Sequence, residues 1–228
     1  MNTIPFIDIH THSIQSHPEI ISVQNIFPGE GFASFSGRNF YSVGLHPWHI
    51  QSLEENNELL GLVEQALEFD YVIFIGECGL DKKVDTDFDE QIRVFKAQAF
   101  MAEEFQKPLI IHCVGAFNEV LELHKKLHPE MLWIMHGYNG NIQITKQFEK
   151  RNILFSFGEN LFRTDTKVVE SFKYLPLSKI LFETDEYNSS VEKMYQQGSY
   201  LKNTSIELLK EAIWSNFNRI ENRIIDFS

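Results

Sequence analysis

Histidines and carboxylates recur in this chain at spacings that suit metal ions. His10 and His12 close a short apolar run at residues 4–9, and because alternate side chains of an extended segment share a face, the two imidazoles point the same way. Single histidines follow two further apolar runs, His112 after residues 109–111 and His136 after residues 133–135. Any one of these could be a satisfied core histidine, but four at the same ends of three runs read as the imidazole half of a metal site. Carboxylates supply the other half. Glu77 follows the run at 71–75, with Gly76 and Gly79 beside it to let the backbone turn or approach a ligand. Glu183 and Asp185 follow the run at 179–182. Alternation puts both on one side and leaves open which of them reaches a pocket. Mixed imidazole and carboxylate ligands suit Zn2+, Mn2+ or Fe2+. A site for two such ions, about 3.5–4 Å apart with one carboxylate bridging them, makes hydroxide at neutral pH and clamps both oxygens of a displacement, so hydrolysis is the expected reaction.

These residues need a frame that gathers several strand ends. Apolar, β-branched or aromatic runs at residues 4–9, 20–26, 40–45, 71–75, 108–111, 131–135, 153–157 and 179–182 make eight candidate strands. Helical periodicity lies between the later ones, as in Leu59, Leu62, Val63 and Ala66, in Phe88, Ile92, Phe95 and Ala99, and in Phe117, Val120 and Leu121, with further patterns over 142–150 and 168–172. Asp87 three before Glu90, and Thr204 three before Glu207, predict capping boxes. Strands alternating with helices predict an α/β fold, and eight of them favour a TIM-type (β/α)8 barrel over an open doubly wound sheet. Residues 13–39 leave room for a strand but for little helix, so the barrel is expected to be shortened or distorted around its first two β/α units. Residues 203–227 read as closing helices with Ile206, Leu209, Ile213 and Phe217 turned inward, and residues 1–228 are expected to form one domain.

Composition narrows the function classes. With 228 residues, 43% of them apolar, the chain can bury a core without disulfides or a structural metal. Cys78 and Cys113 lack the count and spacing of a disulfide or thiolate site and are read as buried small hydrophobes in a reducing compartment. No apolar run reaches the roughly 18–20 residues of a membrane span, and the N-terminus lacks an export pattern, so no membrane association and a cytoplasmic location are expected. Twenty Lys plus Arg against 32 Asp plus Glu give a net charge of −12. A field of that sign repels a long polyanion, so strong duplex binding is not expected. Bound metals cancel part of the charge locally, which leaves room at the mouth for a small phosphoester or a single-stranded nucleic-acid end.

Six segments, FIDIHTH (6–12), SVGLHPWH (42–49), IGECGLDK (75–82), LIIHC (109–113), HGYNG (136–140) and LFETD (181–185), resemble in order the signature blocks of the TatD-like metal-dependent hydrolases, TIM-barrel enzymes of the amidohydrolase superfamily. The resemblance implies that His10 and His12 bind one metal, that Glu77 bridges two, that His112 and His136 bind the second, and that Asp185 rather than Glu183 binds the first and orients or deprotonates the attacking water. It also implies that His46 lies beside the substrate phosphate, giving Asp185, Glu77 and His46 as catalytic residues. The cofactors implied are two divalent ions, Zn, Mg or Mn, and the implied activity is that of a deoxyribonuclease or phosphoesterase. The chain departs from the family pattern at Cys113, Val114 and Gly115, where a serine–arginine segment is usual and no guanidinium remains to hold a phosphate, and at Glu186 and Tyr187, where alanine–proline is usual.

Other residues carry smaller expectations. His49 stands between pocket rim and solvent, while His17, His124 and His128 are expected to be exposed. Tyr138 and Asn139 sit at the active face, where they could contact substrate. Trp48, Phe27, Phe32, Phe35 and Phe40 are read as packing over the thin barrel wall, with a base-stacking surface as the alternative. A monomer is expected. The competing functional class is a barrel that keeps the metals but serves as a binding or interaction protein.

Overall fold

Residues rich in β-branched and aromatic side chains pair in chain order into one eight-stranded parallel sheet. The structure is a computed structural model and describes residues 4–13, 17–30, 39–163 and 166–221. The strands are β1 (Phe6–Thr11), β2 (Ile20–Ile26), β3 (Phe40–Val43), β4 (Val72–Asp81), β5 (Leu109–Val114), β6 (Trp133–Met135), β7 (Ile153–Phe157) and β8 (Ile180–Phe182). Among the described residues seven α-helices lie outside them: α1 (Leu53–Leu67), α2 (Phe88–Phe105), α3 (Phe117–Leu127), α4 (Ile142–Glu149), α5 (Lys167–Tyr174), α6 (Glu192–Lys202) and α7 (Ile206–Glu221). Asp185, just past β8, donates its N–H to the His10 carbonyl at 2.9 Å and accepts from the His12 N–H at 3.2 Å, which brings the two ends of the sheet together. This is the TIM-type barrel read from the sequence. Among the described residues no α-helix follows β1 or β2, and only a 3-10 turn at Pro28–Glu30 lies between β2 and β3.

Buried stripes hold the helices to the barrel. Phe172 of α5 meets Phe157 of β7 with ring centroids 5.0 Å apart and edge to face. It also meets Phe182 of β8 at 6.0 Å. Burying such a ring stabilises the fold by about 2–3 kcal/mol. Leu209, Ile213 and Phe217 form the inner stripe of α7, and Ile206 packs at its edge. No helix among the described residues is long and apolar enough to cross a membrane.

Four details correct the sequence reading. Strand β4 does not stop at Ile75 but runs to Asp81, and β1 and β5 extend past His10 and His112, so three nominated ligands lie within strands rather than after them. Glycines normally weaken a strand, yet here Gly76 and Gly79 let β4 lie against the β5 backbone, where a Cβ on either would collide with the carbonyl of Ile110 or His112. The box at Asp87 is half formed: its side chain accepts from the Glu90 N–H at 2.7 Å, while the Glu90 carboxylate is taken by Arg93 and Asn56. Thr204 is not a cap, because α7 starts one residue later and the Ser205 hydroxyl accepts from the Leu208 N–H. A complete box stands instead at Ser52 and Glu55 of α1.

Candidate metal centre

Glu77 projects from the middle of β4 into a cluster of five imidazoles. Its Oε2 faces His10 Nε2 at 3.3 Å and His12 Nε2 at 3.7 Å. Its Oε1 faces His136 Nε2 at 2.6 Å, His112 Nδ1 at 2.7 Å and His46 Nε2 at 3.1 Å. Asp185 joins the first side, with Oδ1 3.3 Å from His12 Nε2 and 3.6 Å from His10 Nε2. All seven residues nominated from the sequence therefore meet at one end of the barrel. Their ligand atoms form three overlapping groups, His10 with His12 and Glu77, His10 with His136 and Asp185, and His46 with Glu77 and His112.

Local structure fixes each of these side chains. Asn25 of β2 accepts the Glu77 N–H at 2.6 Å and the Ser42 hydroxyl at 3.0 Å, tying three neighbouring strands together beneath the carboxylate. Asp185 adopts the left-handed region at φ 53°, which few residues other than glycine, asparagine and aspartate occupy. His46 leads the turn after β3, whose Leu45 is clamped at both N–H and carbonyl by Gln98 of α2. The Trp48 N–H donates to His46 Nδ1 at 3.1 Å, so the proton of a neutral His46 sits on Nε2, aimed at the centre.

Two further carboxylates support the imidazoles from behind. Asp81 Oδ2 lies 3.3 Å from His112 Nε2 and accepts the Trp48 indole N–H at 2.8 Å. Glu183 Oε1 accepts the Gly137 N–H at 2.5 Å and lies 3.6 Å from His136 Nδ1. Outer carboxylates of this kind orient imidazoles and raise their basicity. Sequence reasoning missed the roles of Asn25, Asp81 and Glu183. Asp81 had one usable signal, since Glu77, Gly79 and Asp81 alternate onto one face of β4.

The electrostatics fit a cation. Hydrogen bonds to Asp185 and then Glu77 push His12 up to about 10. Burial works to raise Glu77, but the charge of His136 and the imidazoles of His10, His112 and His12 hold it well below the usual carboxylate range. Asp185 is lowered too, burial being outweighed by His10 and His12. Burial pulls His46 down, in keeping with a neutral ring. His10 is fully buried, with no partner at Nδ1 and with Nε2 beside Glu77 and Asp185 but hydrogen-bonded to neither. A buried polar atom left unpaired costs about 1–3 kcal/mol, and ligation of an ion would remove that cost.

The centre opens into a cavity of about 570 Å³ whose rim includes Phe27, Glu30, Trp48, His49 and Glu186. His49 is thus a rim residue, with its ring 4.0 Å from that of Phe27. Trp48 is not packed over the wall but is 59% exposed beside the cavity, its indole N–H held by Asp81 and its ring edge-on to that of His46. Phe40 does pack inward, against Phe217, while Phe32 and Phe35 lie outside the described residues. Tyr138 is buried, with its hydroxyl bonded to Thr145 at 2.8 Å, and so does not face substrate. His124 is buried rather than exposed, because it shares the inner face of α3 with Val120 and Leu121 and meets Trp133 edge to face. His17 and His128 are exposed. Cys78 and Cys113 are buried free thiols, and burial pushes Cys113 up to about 12.

The model of the TatD-related DNase family matches residues 30–222. The chain belongs to this family. A metal-dependent hydrolase of Haemophilus influenzae is 26% identical over 205 residues, 81% of this chain and 78% of that protein. YabD of Bacillus subtilis, another metal-dependent hydrolase, is 31% identical over 149 residues, 64% of this chain and 58% of its own length. The human 3′-5′ RNA nuclease TATDN2 is 32% identical over 148 residues, 62% of this chain but 19% of that larger protein. Among solved structures, the TatD homolog YjjV of Escherichia coli superposes with a TM-score of 0.81 at 20% identity, covering 94% of this chain and 97% of its own. A TatD-family metal-dependent hydrolase therefore carries the cluster around Glu77.

Proposed function

We propose that residues 1–228 act as one phosphoesterase domain of TatD type that holds two divalent ions and cleaves small phosphoesters or single-stranded nucleic-acid ends. The observation that carries this reading is the division of labour at Glu77, whose two oxygens face separate sets of imidazoles. On that basis His10, His12 and Asp185 would hold one ion, His112 and His136 the other, and Glu77 both. With four imidazoles and two carboxylates the donor set suits Zn2+, while Mn2+ and Mg2+ would draw mainly on the carboxylates. Ions bound there would supply a water nucleophile at neutral pH and neutralise charge on the phosphoryl oxygens.

The chain's own residues do the rest. Asp185 is partly exposed at the cavity, ionised, and close to His12, which suits it to orient a water and accept its proton. His46 offers an Nε2–H donor toward a phosphoryl oxygen, in a ring that burial keeps neutral. Asp81 and Glu183 keep His112 and His136 from rotating. The test is hydrolysis of bis-p-nitrophenyl phosphate and of a 5′-labelled single-stranded oligonucleotide with Mn2+, set against a His12→Ala control. Turnover at least 100-fold above the control is expected. Two bound ions with no turnover of either substrate would overturn the reading in favour of a metal-holding interaction protein.

A further inference from the structure

A second concavity of about 570 Å³ opens at the same mouth of the barrel, lined by Lys83 after β4, Val114 at the end of β5, Asn160 and Arg163 after β7, and Lys167 at the start of α5. Among the described residues it presents three cations and no carboxylate, in a chain whose net charge is −12. The cations are available. Lys83 and Lys167 have no ion-pair partner among the described residues, and Arg163 reaches only Glu159 at 3.9 Å. Neighbouring Lys82, by contrast, is tied to Glu119 at 2.5 Å. Thr164 and Asp165 lie outside the described residues.

Backbone polarity adds to the side-chain charge. The first residues of α3 and α5 line the same concavity, and among the described residues neither helix has a side-chain cap at its N-terminus. The Thr166 hydroxyl, the natural candidate at α5, donates to the Arg163 carbonyl instead. The positive ends of the two helix dipoles thus reinforce the three cations.

The concavity also neighbours the candidate metal centre along β4 and β5. Val114 lies two residues past His112 on the same strand, and Lys83 lies two past Asp81, whose carboxylate meets His112 at 3.3 Å. At about 3.3 Å of rise per residue, Val114 is about 7 Å along β5 from His112. We infer that Lys83, Arg163 and Lys167 form a phosphate-binding track for a second, non-reacting phosphate of a single-stranded nucleic acid whose scissile phosphate sits at the metal centre. The substrate is then an oligonucleotide end of at least two nucleotides, not a phosphomonoester. This inference rests on the phosphoesterase reading of the centre.

The experiment compares the Mn2+-loaded wild type with the triple variant Lys83→Ser, Arg163→Ser, Lys167→Ser, in which all three altered side chains are exposed. For a single-stranded octanucleotide, kcat/KM is expected to fall 10- to 100-fold, mainly through KM, while bis-p-nitrophenyl phosphate, too short to reach the track, stays within twofold. Fluorescence anisotropy with the same octamer should show the log Kd against log salt slope shrinking by about 2, the value for three lost contacts to a single strand. Equal losses for both substrates, or no loss for the octamer, would overturn the track. So would a mononucleotide that binds the wild type as tightly as the octamer does, because the groove would then be a site for free phosphate. If the wild type cleaves neither substrate, the phosphoesterase reading has failed on its own. The anisotropy comparison then decides the track: a tenfold or greater loss in the triple variant upholds it and equal binding refutes it.

Discussion

Glu183 and Asp185 are two residues apart and differ in what they touch, so paired substitutions separate metal holding from chemistry. Glu183 is buried, its Oε1 occupied by the Gly137 N–H and facing His136 Nδ1 at 3.6 Å. Between full charges at that distance, an effective dielectric of 20 gives about 5 kcal/mol. An imidazole that shares its charge with a bound ion feels only a fraction of this, and outer-shell carboxylates typically change metal affinity by about 10- to 100-fold, or about 1.4–2.8 kcal/mol. Glu183→Gln keeps an oxygen for Gly137 and removes the charge. Titration calorimetry of demetallated protein with Mn2+ should therefore show the Kd of one ion raised 10- to 100-fold, with kcat at saturating metal within about threefold of wild type. Asp185→Asn should do the reverse in kcat, lowering it by about 10²- to 10⁴-fold, the scale of a lost general base, with a smaller change in affinity. If Glu183→Gln leaves both Kd values within twofold yet lowers kcat more than 100-fold, Glu183 takes part in the reaction and its assignment behind His136 is wrong.

Two further outcomes follow from the charged groups of the barrel mouth. Because His12 is pushed up to about 10 in the metal-free protein, metal binding at pH 7.5 must displace its proton; calorimetry in buffers of different ionisation enthalpy should show at least one proton released per chain, with apparent affinity falling as pH drops, and zero release would contradict the assignment of His12 as a ligand. Asp8 is fully buried, and burial pushes its carboxyl from the ordinary 3.8 up to about 7, against the hydrogen bonds from Thr184. Here the folded state keeps a proton that the unfolded chain gives up, so the penalty is absent below 3.8, grows as pH rises and is complete above about 7, with an upper bound of about 4 kcal/mol. Asp8→Asn, which preserves both contacts to Thr184, should gain in Tm over demetallated wild type between pH 5 and pH 8, and a difference independent of pH would refute the burial argument.

How far the sequence discloses this molecule depends on whether a feature is local. The ligands were legible because strand alternation and the restriction of parallel strands to one direction force His10, His12, His112 and His136 to the same end of the barrel once eight strands are recognised. The choice of Asp185 over Glu183 came from the family motif, since period-two alternation treats the two alike. Helix α6 escaped notice for a physical reason: Gly198 interrupts a mostly polar stretch and costs about 1 kcal/mol in helix propensity, yet it is required there because any Cβ would collide with the Phe182 ring. The roles of Asn25 and Asp81 were invisible for a different reason. Each is defined by a partner 52 or 31 residues away, and no periodicity within one segment encodes such a pairing.

The same distinction explains how an acidic chain can serve an anionic substrate. Its net charge is set by exposed helices such as α1, which carries acids and no base, and this governs only the long-range field. At the mouth, the signs are arranged by topology. Strands β1, β4 and β5 and the loops after β1, β3, β6 and β8 bring imidazoles and carboxylates together where an ion would balance them, and the neighbouring loops after β4 and β7 add Lys83 and Arg163 without adding a carboxylate among the described residues. Salt screens the outer field within about 8 Å at physiological ionic strength, whereas the sheltered centre is screened far less. On the proposed function, a short single strand would therefore be drawn in by local charge while a long duplex, whose remaining phosphates must lie along the acidic exterior, would be repelled.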